Sequence, residues 1–265
     1  MLRLDGVSLN YGEPAARPAL HGVTMAVAAG DRLGLCGPSG AGKSSLLLLA
    51  AGLRRPTQGR YTLSPGLRVG LVLQEPEQAL FCGTVGEELA FAPRRRGLAP
   101  AAAAAAAAGP AAALRLGPLL DEDPLRLPPA LQRLVAIAAV LAGEPDLLLL
   151  DEPTAGLDAR GRADVIAALR AFPGTAVIAS HDLDLLWRTA RRLILLDRGR
   201  LAADTDWESL IARPAPLAGL GLALPEPLQV MAGLLERGWR RIDPGAGEED
   251  LAKAILAAGP RRGGE

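Results

Sequence analysis

The stretch Arg32-Leu33-Gly34-Leu35-Cys36-Gly37-Pro38-Ser39-Gly40-Ala41-Gly42-Lys43-Ser44-Ser45 decides how this chain is read. A short apolar run, Arg32 to Cys36, enters a glycine-rich turn, and Ser44 to Leu53 then has the length and leucine content of a helix. Gly37 to Ser44 fits the pattern G-x-x-x-x-G-K-S/T in the strand, turn, helix context where that pattern has physical sense. The glycines let successive N–H groups and the positive end of the helix face a polyphosphate. Lys43 is expected to neutralise β and γ oxygens, and the Ser44 hydroxyl can ligate Mg²⁺. The expected nucleotide contacts in this stretch are therefore Gly37, Pro38, Ser39, Gly40, Ala41, Gly42, Lys43, Ser44 and Ser45.

Working outward, Leu147 to Leu150 is an apolar strand that ends in Asp151 and Glu152, and strand ends are where open α/β sheets bind ligands. Asp151 is placed to join the Mg²⁺ shell, and Glu152 to orient or deprotonate a water for in-line attack on the γ-phosphorus. Gln74 ends the apolar run Leu67 to Leu73, and His181 follows Thr175 to Ser180, so both belong at the same sheet edge as the phosphate loop. His181 reads as a polar contact to the γ-phosphate or to the attacking water, whereas His21 has no such company and reads as structural.

The remaining apolar runs, spaced as strands separated by loops and helices, predict an α/β fold with a parallel sheet and crossover helices. Leu2 to Leu9 and Leu20 to Val27 alternate like a small antiparallel sheet. From about Glu75 to Leu141 the sequence is rich in Ala and Pro without strand pattern, which predicts a helical insert. Within it, Ala101 to Ala108 has high helix propensity, with Gly109-Pro110 expected as its C-cap and stop. The acidic run Asp121 to Asp123 reads as a solvated loop. Past Arg213 the composition shifts, and two amphipathic stretches, Leu228 to Arg237 and Glu248 to Ala257, predict a small carboxy-terminal domain.

Composition narrows the function. The 29 basic and 29 acidic residues of the 265 cancel, so no overall field draws the protein to nucleic acid. Cys36 and Cys82 make neither a disulfide framework nor a metal-ligand spacing, and a reducing cytosol is expected. No run is apolar enough to span a bilayer; Ala99 to Leu120 comes nearest and is broken by Pro100, Gly109, Pro110, Arg115, Gly117 and Pro118. Work at a membrane would need spanning helices from another chain.

Taken together, the phosphate loop, Gln74, Leu147 to Pro153 with Thr154-Ala155-Gly156-Leu157-Asp158, and Ser180-His181-Asp182 resemble an ATP-binding cassette (ABC) ATPase subunit, over residues 1 to about 212. Gln74-Glu75-Pro76-Glu77-Gln78-Ala79-Leu80-Phe81 followed by Thr84 to Phe91 is similar to the Gln-loop region of energy-coupling factor (ECF) importer ATPases, which serve vitamin, cobalt or nickel uptake. The tail, Leu224-Pro225 to Gly238 and Glu248 to Ala252, is similar to the small carboxy-terminal domain of those subunits. The resemblance implies a P-loop NTPase core with an antiparallel β subdomain, an α-helical subdomain and a carboxy-terminal appendage. It divides the chain into an ATPase domain over 1–213, helical subdomain about 75–141, and a domain over 214–265. It implies ATP and Mg²⁺ as cofactors. Tyr11 matches the aromatic that stacks on adenine, Gln74 a residue that touches Mg²⁺ and couples to the membrane subunit, Asp151 the Mg²⁺-shell carboxylate, Glu152 the catalytic base, Asp158 the residue that signals across the dimer, and His181 the switch histidine. The implied partners are a second ABC ATPase subunit, a transmembrane scaffold protein and a substrate-binding membrane protein, at the cytoplasmic face of the membrane.

One element departs. The family signature Leu-Ser-Gly-Gly-Gln falls on Leu127-Pro128-Pro129-Ala130-Leu131. Prolines lack the N–H that this loop offers to a partner-held γ-phosphate, and Ala130 adds a methyl where backbone should approach closely. An asymmetric heterodimer is the expected assembly, since an intact loop from a different subunit would keep one composite site competent on Lys43, Glu152 and His181. Rival readings are another ABC transporter class, a non-transport ABC switch, which would carry a coiled-coil insertion or second cassette, and a small-molecule kinase, which leaves Asp158 and His181 without a role.

Overall fold

The computed structural model of the protein describes residues 1–12, 18–236 and Lys253. Strands β1 (Leu2–Leu9) and β2 (Leu20–Val27) pair antiparallel, as their alternation predicts. Then follow β3 (Arg32–Cys36), helix α1 (Lys43–Ala50), β4 (Gln58–Leu63) and β5 (Val69–Val72). The helical section carries α2 (Val85–Arg95), α3 (Pro100–Ala113) and α4 (Pro129–Ala142). After it come β6 (Leu147–Asp151), α5 (Ala159–Ala171), β7 (Thr175–Ala179), α6 (Leu183–Thr189), β8 (Arg192–Asp197), β9 (Arg200–Asp206), α7 (Trp207–Ala212), α8 (Ala215–Ala218) and α9 (Glu226–Glu236).

Six of the strands form one sheet in the order β5-β6-β7-β3-β8-β9, parallel except for β9 at its edge. A strand covered on both faces has no polar side, which is why β6 reads as four consecutive leucines. Leu147 and Leu149 pack with Leu33, Leu35, α1 and the antiparallel sheet. Leu148 and Leu150 point the other way, into a cluster with Val135, Ile137, Val165, Leu169, Leu193 and Leu195. The sheet thus separates two cores, and its carboxyl edge carries the ends of β3, β5, β6 and β7 side by side.

Two strands escape the sequence pattern. In β4 most residues are exposed, and it joins β1 through backbone pairing from Leu2↔Leu63 to Ser8↔Gln58. Strand β9 extends the large sheet antiparallel to β8, across a tight turn with Arg198 (φ 46°) and Gly199 (φ 77°) left-handed. Gly109-Pro110 does not stop α3, contrary to expectation; the helix continues to Ala113, with the Leu114 N–H donating to the Pro110 carbonyl at 3.1 Å. Ala103, Ala107, Ala111 and Leu114 are all buried, and that packed face outweighs the single hydrogen bond that Pro110 removes. Helix α1 begins at Lys43 and ends at Ala50, shorter at its end than Leu53.

Asp121 to Asp123 forms a loop with Asp121 and Glu122 exposed, where the Asp123 carboxylate accepts from the Leu125 N–H at 2.9 Å. Trp207, Leu210, Ile211, Leu217, Leu224, Leu228 and Met231 join the cluster that holds Leu193 and Leu195. The amphipathic stretch expected from Leu228 forms α9; that over Glu248–Ala257, apart from Lys253, lies outside the described residues, as does Gly238. Among the described residues no helix is long and apolar enough to cross a membrane.

Candidate nucleotide site

The turn between β3 and α1 is shaped from outside. At Gly37 (φ 153°) a Cβ would stand 2.1 Å from the Leu196 carbonyl oxygen of β8, and at Gly42 (φ 103°) one would stand 2.6 Å from that of Ala19. The Gly199 N–H, from the β8–β9 turn, donates to Ala41 O at 2.9 Å. Strand β8, its hairpin and the entry to β2 therefore clamp the loop. Helix α1 has Gly42 as N-cap with no capping side chain, and no acidic residue in its first turn. Its first N–H groups have no intrahelical acceptor and no acidic side chain of the helix's own first turn to take them, so this end suits a phosphate. The Lys43 ammonium lies back over the loop, donating to Gly37 O at 2.8 Å and Pro38 O at 3.2 Å.

Tyr11 stands just past β1, 53% exposed, with its hydroxyl 3.1 Å from Ser45 Oγ and the Arg54 guanidinium 5.3 Å from its ring centroid. An exposed ring held over the start of α1 offers a stacking surface for a base.

Asp151 closes β6 and is buried. Burial pushes its carboxyl above the usual range; a hydrogen bond with Ser44 opposes this, Glu152 adds to it, and the charges of Lys43 and Arg133 oppose it. A buried carboxylate beside a serine hydroxyl is a hard oxygen donor set, which fits Mg²⁺. Ser44, Asp151 and Gln74 line one cavity of about 210 Å³, so the three expected metal-site residues lie together. Among the described residues no group of three or more His, Cys, Asp or Glu could hold a metal by itself, so a cation here needs further oxygens from phosphate or water.

Glu152 has φ 47°, a left-handed conformation uncommon for a residue with a side chain. Its N–H donates to Ala179 O at 2.8 Å, which ties the turn to β7. The carboxylate is 2.8 Å from the donating Ser180 hydroxyl, 3.0 Å from the His181 N–H and 2.8 Å from His181 Nδ1. A carboxylate only accepts, so Nδ1 carries the proton. Glu152 is buried while the His181 side chain is 70% exposed, so the histidine forms the wet rim of the pair.

Two residues of the site are not legible in the sequence. Ser180 is one, since a serine before a histidine carries no signal of its own. Arg133 donates from Nη1 to Glu152 O at 3.0 Å and from Nη2 to Gln74 O at 2.9 Å. Those partners are 19 and 59 residues away, and no local pattern reports such a contact.

Asp158 accepts from the Gly161 N–H at 2.7 Å and so caps α5. Arg162 on that helix pairs with Asp182 and, at 3.1 Å, with Asp184, which links α5 to α6 just beyond His181. At the signature position Pro128 is the N-cap of α4 and Pro129 its first residue. The N–H groups of Leu131 and Gln132 both donate to Pro128 O, at 2.9 and 3.0 Å. In this first turn only Ala130 keeps an N–H to offer outward.

Residues 20–155 match the protein family described as ABC transporter. The chain is 39% identical over 264 residues to the energy-coupling factor transporter ATP-binding protein EcfA2 of Symbiobacterium thermophilum, covering 92% of this chain and 91% of that one. To the cobalt import ATP-binding protein CbiO of Rhodobacter capsulatus it is 38% identical over 238 residues, 84% of this chain and 85% of the relative. Among solved structures, cbiO1 from Clostridium perfringens, described as part of the ABC transporter complex cbiONQ, superposes with a TM-score of 0.69 at 26% identity, over 87% of this chain and 98% of that one.

Proposed function

Because this chain belongs to the ABC transporter family, we propose that it is the ATP-binding and ATP-hydrolysing subunit of an ECF-type importer for vitamins or transition-metal ions. The observation that carries the reading is the Glu152 carboxylate, fixed by Ser180 and His181 one residue from the buried Asp151, which hydrogen-bonds with Ser44.

In this reading Tyr11 stacks on the adenine, and Gly37 to Ser45 hold the phosphates through backbone N–H groups, the Lys43 ammonium and the Ser44 and Ser45 hydroxyls. Ser44, Asp151 and Gln74 would hold Mg²⁺, which would supply neutralisation of the phosphate charge. Glu152 takes the proton of the attacking water while Ser180 and His181 keep its carboxylate from rotating; most of the catalysis is positioning and charge stabilisation. The ATPase domain spans 1–213 with its helical subdomain at about 75–141, and a carboxy-terminal domain spans 214–265.

A second ATPase subunit with an intact signature loop completes the competent site, because Pro128, Pro129 and Ala130 leave this chain little to donate across a dimer. A transmembrane scaffold and a substrate-binding membrane protein complete the importer and hold the chain peripherally at the cytoplasmic face. A mostly apolar cavity of about 410 Å³ between β5, α2 and α4 supports docking of the scaffold; Leu73 and Ala79, on either side of the Gln74 loop, line it, and the exposed Phe81–Phe91 pair flanks it. Nucleic acid is not a partner, given the balanced charge.

Glu152→Gln tests the chemistry. It should leave nucleotide affinity within about threefold and lower turnover by roughly 10² to 10⁴, the range for loss of a general base. Turnover that survives the substitution rejects Glu152 as the base.

A further inference from the structure

We propose that Arg133 is a positioning residue that fastens the Gln74 loop to the Glu152 turn, so that the metal-side and water-side groups of the site move as one body. The proposal rests on the roles given above to Gln74 and Glu152. The parallel ladder between β5 and β6 has its last rung at Val72↔Leu150. Beyond that rung the two chains part: one enters the turn around Pro76–Ala79, the other bends through Glu152 at φ 47°. Arg133, on the first turns of α4, spans the gap with one guanidinium, Nη1 on Glu152 O and Nη2 on Gln74 O.

A left-handed, side-chain-bearing residue persists only where its surroundings over-determine it. At Glu152 the N–H is tied to β7, the carboxylate to Ser180 and His181, and the carbonyl to Arg133. The carbonyl is the one of these ties that also reaches Gln74. A planar fork reaches the two carbonyls from two separate, fixed nitrogens, whereas an ammonium must serve both from one nitrogen on a flexible stem. Lysine at this position therefore keeps the charge and loses the two-nitrogen span that the separated carbonyls of Gln74 and Glu152 require.

The test uses the full chain, first without any partner. Amide hydrogen exchange in Arg133→Met should quicken by about tenfold, the scale of one lost charge-assisted hydrogen bond, in residues 73–79 and 151–155 together. Residues 134–142 of α4 and 175–179 of β7 should stay as protected as before. Arg133→Lys should restore protection to one of the two segments. In the ATPase assembly that turns over, Arg133→Met should lower kcat by roughly 10²-fold, as expected of a displacement of about 1 Å at the reacting groups, with KM for ATP within threefold. The lysine variant should recover part of kcat.

Faster exchange in one segment only, faster exchange along the whole of α4, or an unchanged kcat overturns the proposal. The Glu152→Gln variant separates the two questions. If that variant still hydrolyses ATP the catalytic reading fails, while the exchange pattern still decides whether Arg133 joins the loops.

Discussion

At Gly37 a methyl group would have to share space with the Leu196 carbonyl oxygen, 2.1 Å away, on a strand buried in the sheet. Neither side can yield. Gly37→Ala should destabilise the chain by about 2–4 kcal/mol, from overpacking and left-handed strain together. Gly40, at φ 75° with nothing within 4 Å of an added Cβ, is the control, and Gly40→Ala should cost only about 1 kcal/mol. Urea unfolding of the two variants checks the difference; equal midpoints would mean that β8 does not press on the loop. Gly37, Lys43 and Ser44 are legible in the sequence because their chemistry sits in contiguous residues at a fixed spacing. Ser180 and Arg133 are not, because what they do depends on a carboxylate and two carbonyls that only folding brings near.

Among the elements, the entries of β5 and β6 are held by Arg68 and Asp146. The Asp146 carboxylate accepts from the Arg68 N–H at 2.9 Å and from its guanidinium at 2.9 and 3.1 Å. Side-chain and then backbone hydrogen bonds from Arg68 hold the Asp146 carboxyl down at about 2. A folded value below the unfolded one, about 3.9, means a contribution fully present above about pH 4–5 and lost as pH falls towards 2. The stability gap between the wild-type chain and Asp146→Asn should therefore stay level above pH 5 and close between about pH 4 and 2. Chemical unfolding across that range measures it, and a gap that widens on acidification would contradict the pairing. Strands β1, β2, β3 and β6 are legible because burial on one or both faces writes itself as alternation or as a continuous apolar run. Strand β4, largely exposed, is held by backbone pairing and by the partly buried Tyr61 and Leu63 alone, too few positions to write an alternation. The run through Gly109-Pro110 misleads in the other direction, since a local stop signal yields to the buried face of α3.

The largest-scale prediction concerns assembly. With prolines in place of the signature serine and first glycine, the chain purified alone should hydrolyse ATP at least about 10²-fold more slowly than the chain paired with an ATPase subunit whose loop is intact, the scale of a lost preorganised donor. Steady-state turnover of the two preparations decides it. Equal rates would mean that Ala130, or another group, makes good the loss and that a homodimer suffices.

The sequence by itself determined the α/β class, the phosphate loop, the acidic pair at a strand end and the absence from the described residues of a membrane-spanning helix. These follow from covalent neighbours and from periodicity, which the chain carries along its length. Only the tertiary structure decided the order β5-β6-β7-β3-β8-β9, the clamp of β8 and its hairpin on the phosphate loop, and the bridge of Arg133 from Gln74 to Glu152. Each of these turns on backbone carbonyls, which every residue carries alike, so no side-chain pattern announces which of them will be met.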